Sequence, residues 1–263
     1  MHTLFFVDTS SELQLQRDCL RDLILLPNTL KLMRQDSRGL KLSYEPRYNS
    51  AHFERLVTSS FSLSELLDFF WSTNWINTLY KYVSVAKQAY LEKKTITAFH
   101  RVKFESSYSP MTSASPYIQS PLAESSNNLK NSLPIYPNIQ FSVINPGCGI
   151  PAHLDRQDKI ASVLIYLPTV EQNNHPLLGT KFWISRSQEP FSPSGYSHDE
   201  YRFLNDAQEI ELASVTNALT LPFTDSSAIL FASNKKSWHS ITYPSEVKLG
   251  PRVSININYY SIR

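Results

Sequence analysis

The stretch Arg252-Val253-Ser254-Ile255-Asn256-Ile257-Asn258-Tyr259 alternates polar and apolar side chains over its first seven positions. Successive side chains of an extended chain point to opposite faces, so Arg252, Ser254, Asn256 and Asn258 share one face and Val253, Ile255 and Ile257 the other. The stretch therefore reads as a strand over 252–260. Segments 139–145, 159–167, 181–185, 209–213, 217–221 and 227–232 are similarly short, rich in β-branched and aromatic residues, and bounded by Pro, Gly, Asn or Asp. Several short strands with no amphipathic helices between them predict a sandwich, jelly roll or barrel.

Working outward from this β region, the first third of the chain reads as helical. Ser10 and Ser11 are candidate caps for a helix through Leu13, Leu15, Leu20, Leu23 and Ile24, ended by Pro27. Ser62 and Glu65 fit a capping box opening a second helix through Leu66, Phe69, Phe70 and Ile76, with a further helical stretch from Leu79 to Lys93. The aromatic stripe on it reads as a face packed on a core. Residues 106–132 hold nine Ser and three Pro among 27 positions, a composition that predicts a long loop or lid. The expected organisation is α+β: a mainly helical support region over 1–105, a Ser/Pro-rich loop over 106–132 and a β core over 133–263.

Composition narrows the function classes. With 41% hydrophobic and 18% charged residues among 263, the chain has apolar material for a sizeable core and lacks the signature of disorder. No apolar run approaches the roughly 18 residues of a membrane span. A net charge of +2 excludes a strong electrostatic grip on nucleic acid or an anionic membrane as the main activity. Six glycines and no glycine-rich phosphate motif weaken nucleotide-binding readings. Two cysteines and no leader-like pattern at Met1–Asp8 give a cytoplasmic expectation.

The chemistry lies in the β region. His153-Leu154-Asp155 follows the turn Pro146-Gly147-Cys148-Gly149. An H-x-D alone is uninformative, but on an extended segment its two side chains point to the same side and can hold one ion. A third donor is available in His239, of Ser237-Trp238-His239-Ser240, which follows the apolar run Ala228–Phe231. Two His and one carboxylate on one face of a metal leave three positions open, the arrangement of non-haem Fe(II) oxygenases. Thirteen residues further, Arg252 opens the alternating strand and suits two-pronged capture of a ligand carboxylate. His198-Asp199-Glu200 also holds an H-x-E pair but sits among Ser, Pro and Gly and reads as a surface loop. His175 reads as a turn residue, and His2, His52 and His100 lack partners at ligand spacing. Trp238 reads as a core residue.

In this order of motifs the sequence resembles the 2-oxoglutarate- and Fe(II)-dependent oxygenases, over about residues 139 to 260. The resemblance implies a double-stranded β-helix (jelly-roll, cupin-like) core with a helical N-terminal part. It implies His153, Asp155 and His239 as iron ligands, and Arg252, with Ser254 in an R-x-S pattern, as the partner of the far carboxylate of 2-oxoglutarate. Tyr166, before Leu167-Pro168, stands where the prolyl-hydroxylase-like branch has a tyrosine touching that carboxylate, and Asn145 is a further candidate cosubstrate contact. The implied cofactors are Fe(II), 2-oxoglutarate and O2. The implied reaction is hydroxylation of a small-molecule or peptidyl substrate with release of succinate and CO2. Halogenases of the superfamily leave the carboxylate position empty; Asp155 fills it here. The His239–Arg252 spacing is longer than in prolyl hydroxylases, and the usual glycine pair appears as Leu178-Gly179-Thr180. That form resembles uncharacterised bacterial-type members, so the prolyl hydroxylases' substrate does not carry over. Two other readings stay open: a cupin-type metalloenzyme without 2-oxoglutarate, and a non-catalytic jelly-roll binding module. No nucleic-acid or membrane partner is expected, and the oligomeric state and substrate are open.

Overall fold

The alternation at 252–260 becomes a ten-residue strand around which two sheets are organised. The computed structural model describes residues 4–8, 14–35, 41–72, 75, 78–79, 81–83, 102–103, 135–156, 159–187, 189–193, 203–225 and 227–261. In chain order they form β1 (Leu4–Asp8), α1 (Gln14–Leu25), α2 (Pro27–Lys31), β2 (Arg34–Gln35), β3 (Leu42–Tyr44), α3 (Ser50–Ser59) and α4 (Phe61–Trp71). There follow β4 (Val102–Lys103), β5 (Ile135–Ile144), β6 (Gly149–His153), β7 (Lys159–Tyr166), β8 (Lys181–Ser185), α5 (Asp206–Val215), β9 (Thr216–Thr220), β10 (Ser227–Ala232), β11 (His239–Thr242) and β12 (Arg252–Ser261). The expected 106–132 loop lies outside the described residues. No described helix is long and apolar enough to cross a membrane.

The strands make an eight-stranded sheet, ordered β2-β3-β5-β12-β7-β10-β1-β4, and a four-stranded sheet, ordered β6-β11-β8-β9. The β1–β4 pairing is parallel; the other strand pairings are antiparallel. Antiparallel sheets tolerate unlike faces, and β12 uses this fully. Its Val253, Ile255, Ile257 and Tyr259 join Phe141 and Val143 of β5 and Val163 and Ile165 of β7 in a core with Leu20, Phe53, Leu67 and Phe70 of the helices. Fully burying each of the large apolar side chains contributes about 1.5–3 kcal/mol. Between the sheets a second core forms, in which Phe182 of β8 meets Phe231 of β10 with ring centroids 5.2 Å apart.

Several elements differ from the sequence expectation. The 209–213 segment is helical, within α5, because Asn205 and Gln208 close a reciprocal capping box at its start. Helix α4 is capped by Ser60, whose hydroxyl accepts from the Leu63 N–H at 3.2 Å, rather than by Ser62. It stops at Trp71, and residues 84–93 of the expected further helix lie outside the described residues. Pro27 does close the run of α1, but by opening α2 as its first residue, where no backbone N–H is needed. The first third also contributes β1, β2 and β3 to the large sheet.

Ile255 is fully buried between helices and sheet. Ile255→Ala is expected to lower unfolding stability by about 2–5 kcal/mol, read as a shift in the denaturant midpoint. A loss below about 0.5 kcal/mol would contradict its place in that core.

Candidate functional site

Strands β6 and β11 pair so that His153 and His239 are direct cross-strand partners. Neighbouring positions on one face of an antiparallel pair bring side chains together, and here the two ring centroids lie 4.2 Å apart. Past the end of β6 the chain stays extended: Leu154 turns into a core with Ala152, Leu204, Leu212 and Trp238, and Asp155 returns to the side of His153. One ligand atom from each of His153, Asp155 and His239 lies within 4.8 Å of the others. All three residues are buried. The sequence-derived triad is thus assembled in space, and Trp238 is the core residue expected.

The hydrogen bonds fix which atoms face the cluster. His153 Nδ1 is 2.8 Å from the Pro151 carbonyl and His239 Nδ1 is 2.8 Å from the Ser237 carbonyl. A carbonyl only accepts, so each ring carries its proton on Nδ1, which makes Nε2 the nitrogen able to ligate an ion. Burial drives the His153 pKa well below its usual value, and nearby His239 pushes the same way. Burial lowers His239 as well. For Asp155 burial acts upward, but Lys159 and the two imidazoles outweigh it and hold the carboxyl at about 2. Lys159 Nζ donates to Asp155 Oδ1 at 2.8 Å, whereas Oδ2 is buried with no partner. Two neutral imidazoles and a carboxylate with one open oxygen suit a divalent transition metal.

A cavity of about 780 Å³ opens over this cluster and is also lined by Arg252, Ser254, Asn256, Asn258 and Thr180. Arg252, 1% exposed, donates from Nε to the Leu178 carbonyl at 2.7 Å. Its guanidinium carbon lies 5.0 Å from the Tyr166 ring centroid and 4.9 Å from that of Phe223. Its Nη1 and Nη2 are buried without partners. The Leu178-Gly179-Thr180 bend that supplies the Leu178 carbonyl requires glycine, because a Cβ at Gly179 would collide with the Leu221 carbonyl. Arg17 and Arg21 of α1, both buried, donate to the carbonyls of Tyr166 and Leu167, and Arg21 also to that of Pro251. They tie down the ends of β7 and β12 on either side of Arg252.

The remaining sequence candidates have varied placements. Ser254 lines the cavity and donates to Asn256 Oδ1 at 3.3 Å. The Tyr166 hydroxyl donates to Thr180 Oγ1 at 2.6 Å and accepts the Thr180 N–H at 3.1 Å. Its one proton is committed, so in this arrangement Tyr166 braces Arg252 through its ring rather than offering a donor. Asn145 is exposed in the turn after β5 and is not among the residues lining this cavity. His175 sits in a turn paired with Phe223, while His198-Asp199-Glu200 lies outside the described residues. Lys159, Thr180 and Phe203 were not singled out from sequence. Phe203, whose ring centroid lies 5.2 Å from that of His153, arrives through a bridge between distant segments that no local pattern signals. The i, i+4 relation of Lys159 to Asp155 was the one legible hint.

No family model and no curated protein matches the chain. Among solved structures it is similar to SnoN, a non-haem α-ketoglutarate-dependent epimerase from nogalamycin biosynthesis. At 9% identity the TM-score is 0.52, covering 99% of this chain and 77% of that one. The same enzyme in complex with Fe3+, α-ketoglutarate and nogalamycin RO gives 0.51 at 9% identity, covering 99% and 79%. A Pseudomonas putida prolyl-4-hydroxylase aligns over 100% of this chain and 95% of its own, at 9% identity and a TM-score of 0.47.

The metal-free protein should lose stability as pH falls below about 6.5. An unfolded histidine takes up a proton there, while buried His153 and His239 resist it, so the unfolded state binds more protons. Denaturant unfolding of the metal-free protein at pH 7.5 and 5.5 checks this, each such histidine contributing at most about 1.4 kcal/mol per pH unit. An equal slope in His153→Gln would contradict the assignment. In its mixed helical and antiparallel architecture, the chain shares the fold of SnoN.

Proposed function

We propose that the protein is an Fe(II)- and 2-oxoglutarate-dependent oxygenase whose two sheets form a double-stranded β-helix, with residues 133–263 as catalytic core and the helical N-terminal region as support. The observation that carries this reading is the pair of opposite orphans in one cavity. Asp155 Oδ2 is a buried acceptor without a donor, and Arg252 Nη1 and Nη2 are buried donors without an acceptor. Buried charged groups left unpaired are costly, and these two call for different ligands, a cation at the first and an anion at the second. A divalent iron held by His153, Asp155 and His239, with 2-oxoglutarate presenting its far carboxylate to Arg252, satisfies both.

The chain's own residues have distinct tasks. Arg252 binds and orients the cosubstrate by two parallel charge-assisted hydrogen bonds. Tyr166, Phe223 and the Leu178 carbonyl hold its guanidinium in place. Lys159 holds Asp155 Oδ1 so that Oδ2 faces the metal position. Phe203, Phe231 and Ile241 give the cavity an apolar border near the histidines, restricting water there. When bound, iron and 2-oxoglutarate supply the oxidising chemistry: O2 divides between succinate, formed with loss of CO2, and a hydroxyl group on the substrate. The reaction is read as hydroxylation and its setting as the cytoplasm, on the sequence grounds given above. The substrate-binding names of the structural neighbours, nogalamycin RO among them, support a small molecule as substrate. A cupin-type metalloenzyme leaves the Arg252 orphan without a ligand, and a binding module leaves the metal donors without one.

The test is an anaerobic titration with Fe(II) and 2-oxoglutarate, watching for the weak visible charge-transfer band of the ternary complex. The parent protein should develop it, and His239→Ala should fail to retain iron. Arg252→Ala should keep iron but bind 2-oxoglutarate at least about tenfold more weakly, since losing a hydrogen bond to a charged partner costs about 1.5–3 kcal/mol. Undiminished 2-oxoglutarate binding in Arg252→Ala would remove the cosubstrate assignment and favour the cupin-type reading.

A further inference from the structure

The inner wall of the large sheet is polar where a sandwich is ordinarily apolar. Asn256 and Asn258 of β12, Gln140 of β5 and Ser162 of β7 all line the cavity. The register brings them side by side: Asn256 is the cross-strand partner of Gln140, and Asn258 of Ser162. They bond one another: Asn256 Nδ2 donates to Gln140 Oε1 and to Ser142 Oγ, and Ser162 donates to Asn258 Oδ1. Lys41 Nζ donates to Gln140 Oε1 at 2.9 Å, and Gln140 Nε2 donates to Glu45 Oε1 at 3.3 Å. The opposite face of β12 packs on the helices, so this polar set is no solvated exterior. An apolar molecule laid on it would strip water from amides without replacing its hydrogen bonds, which is unfavourable.

Charge gives the second observation. With Arg252 assigned to the cosubstrate and Lys159 held by Asp155, the charged lining residues that remain are Arg34, Lys41 and Arg156 against Glu45, three cations to one carboxylate among the described residues. Lys41, just before β3, reaches the Gln140 amide, and Arg34 of β2 is an exposed lining residue whose guanidinium carbon lies 4.1 Å from the Tyr48 ring centroid. A cavity of about 780 Å³ falls within the roughly 300–1,000 Å³ of small-molecule sites.

Resting on the function proposed above, we propose that the molecule oxidised is a small hydrophilic anion, its negative group held by Lys41 and Arg34 and its hydroxyl or amide groups by the Gln140–Asn256–Asn258 wall. Lys41 and Arg34 then set specificity for charge, and the amide wall excludes apolar compounds. Carboxylate and phosphate are equivalent in this chemistry, and the experiment separates them.

Calorimetric titration of the protein loaded with Ni(II) and 2-oxoglutarate, so that the Arg252 position is filled, tests this with matched probes. Gluconate is compared with sorbitol, glucose 6-phosphate with glucose, and octanoate serves as an apolar anion. At least one anionic polyol should bind about tenfold more tightly than its neutral partner and than octanoate, with an affinity that falls as salt is raised. The gap should close in Arg34→Ala/Lys41→Ala, and in the milder Lys41→Gln should narrow, while 2-oxoglutarate affinity stays at the parent value. Neutral polyols binding as well as their anions, octanoate binding most tightly, no probe binding, or a gap indifferent to Lys41 would each overturn the inference. A parallel titration without metal and cosubstrate separates the two readings. Lys41-dependent discrimination in a protein that fails to bind 2-oxoglutarate would retain the anion site and discard the oxygenase reading. Discrimination that follows Arg252→Ala instead would discard the anion site alone.

Discussion

Strand β12 is hydrogen-bonded along both edges, to β5 over ten residues and to β7 over seven, and its two faces meet opposite demands. One face must be apolar because helices α1, α3 and α4 bury their own apolar sides against it. The other lines the cavity with polar groups, those of Arg252, Ser254, Asn256 and Asn258. A slip of one residue in register would exchange the faces, placing a guanidinium and two amides in the helix-facing core. Packing on one side therefore fixes the chemistry on the other.

Holding Arg252 in that position takes several parts of the chain. Burial lowers its pKa, as it lowers that of Arg17 to about 10. Arg17 and Arg21 nevertheless reach the carbonyls at the ends of β7 and β12, where those strands leave the sheet and main-chain acceptors lack ladder partners. The helical N-terminal region is thus more than a cover for the sheet. Its arginines fix the strand ends from which Arg252 and Tyr166 project, and β3 brings Ser43 into register with Ser142 at the cavity's far wall.

The candidate metal site depends on a different economy, that of backbone carbonyls. Each imidazole is oriented by a carbonyl two residues before it in the chain, Pro151 for His153 and Ser237 for His239. This local contact sets the tautomer, so β6 and β11 need supply only the pairing. Helix α5 supports that pairing from outside through Glu209, which accepts from the Ala152 N–H. From sequence, residues 209–213 read as one of several short strand-like segments bounded by turn residues. In the helix only Leu212 is buried and Ile210 is 72% exposed, so the amphipathic period that would have marked a helix is missing, and the cap carries the signal instead.

By itself, the sequence determined what is periodic or local. The alternation of 252–260 and the apolar runs at 159–167 and 227–232 marked strands, because a pleated chain imposes a period of two whatever its neighbours are. The separation of His153 and Asp155 by one residue put both on one side for the same reason. The tertiary structure alone decided what depends on pairing between distant segments. It set His153 opposite His239, closed Phe203 onto His153, drew the Tyr166 hydroxyl to Thr180 and left Asn145 outside on an exposed turn. It also set Lys41 beside Gln140, 99 positions away in sequence. Such contacts follow from strand order and register, which reflect the burial of whole faces rather than the preference of any one stretch of chain.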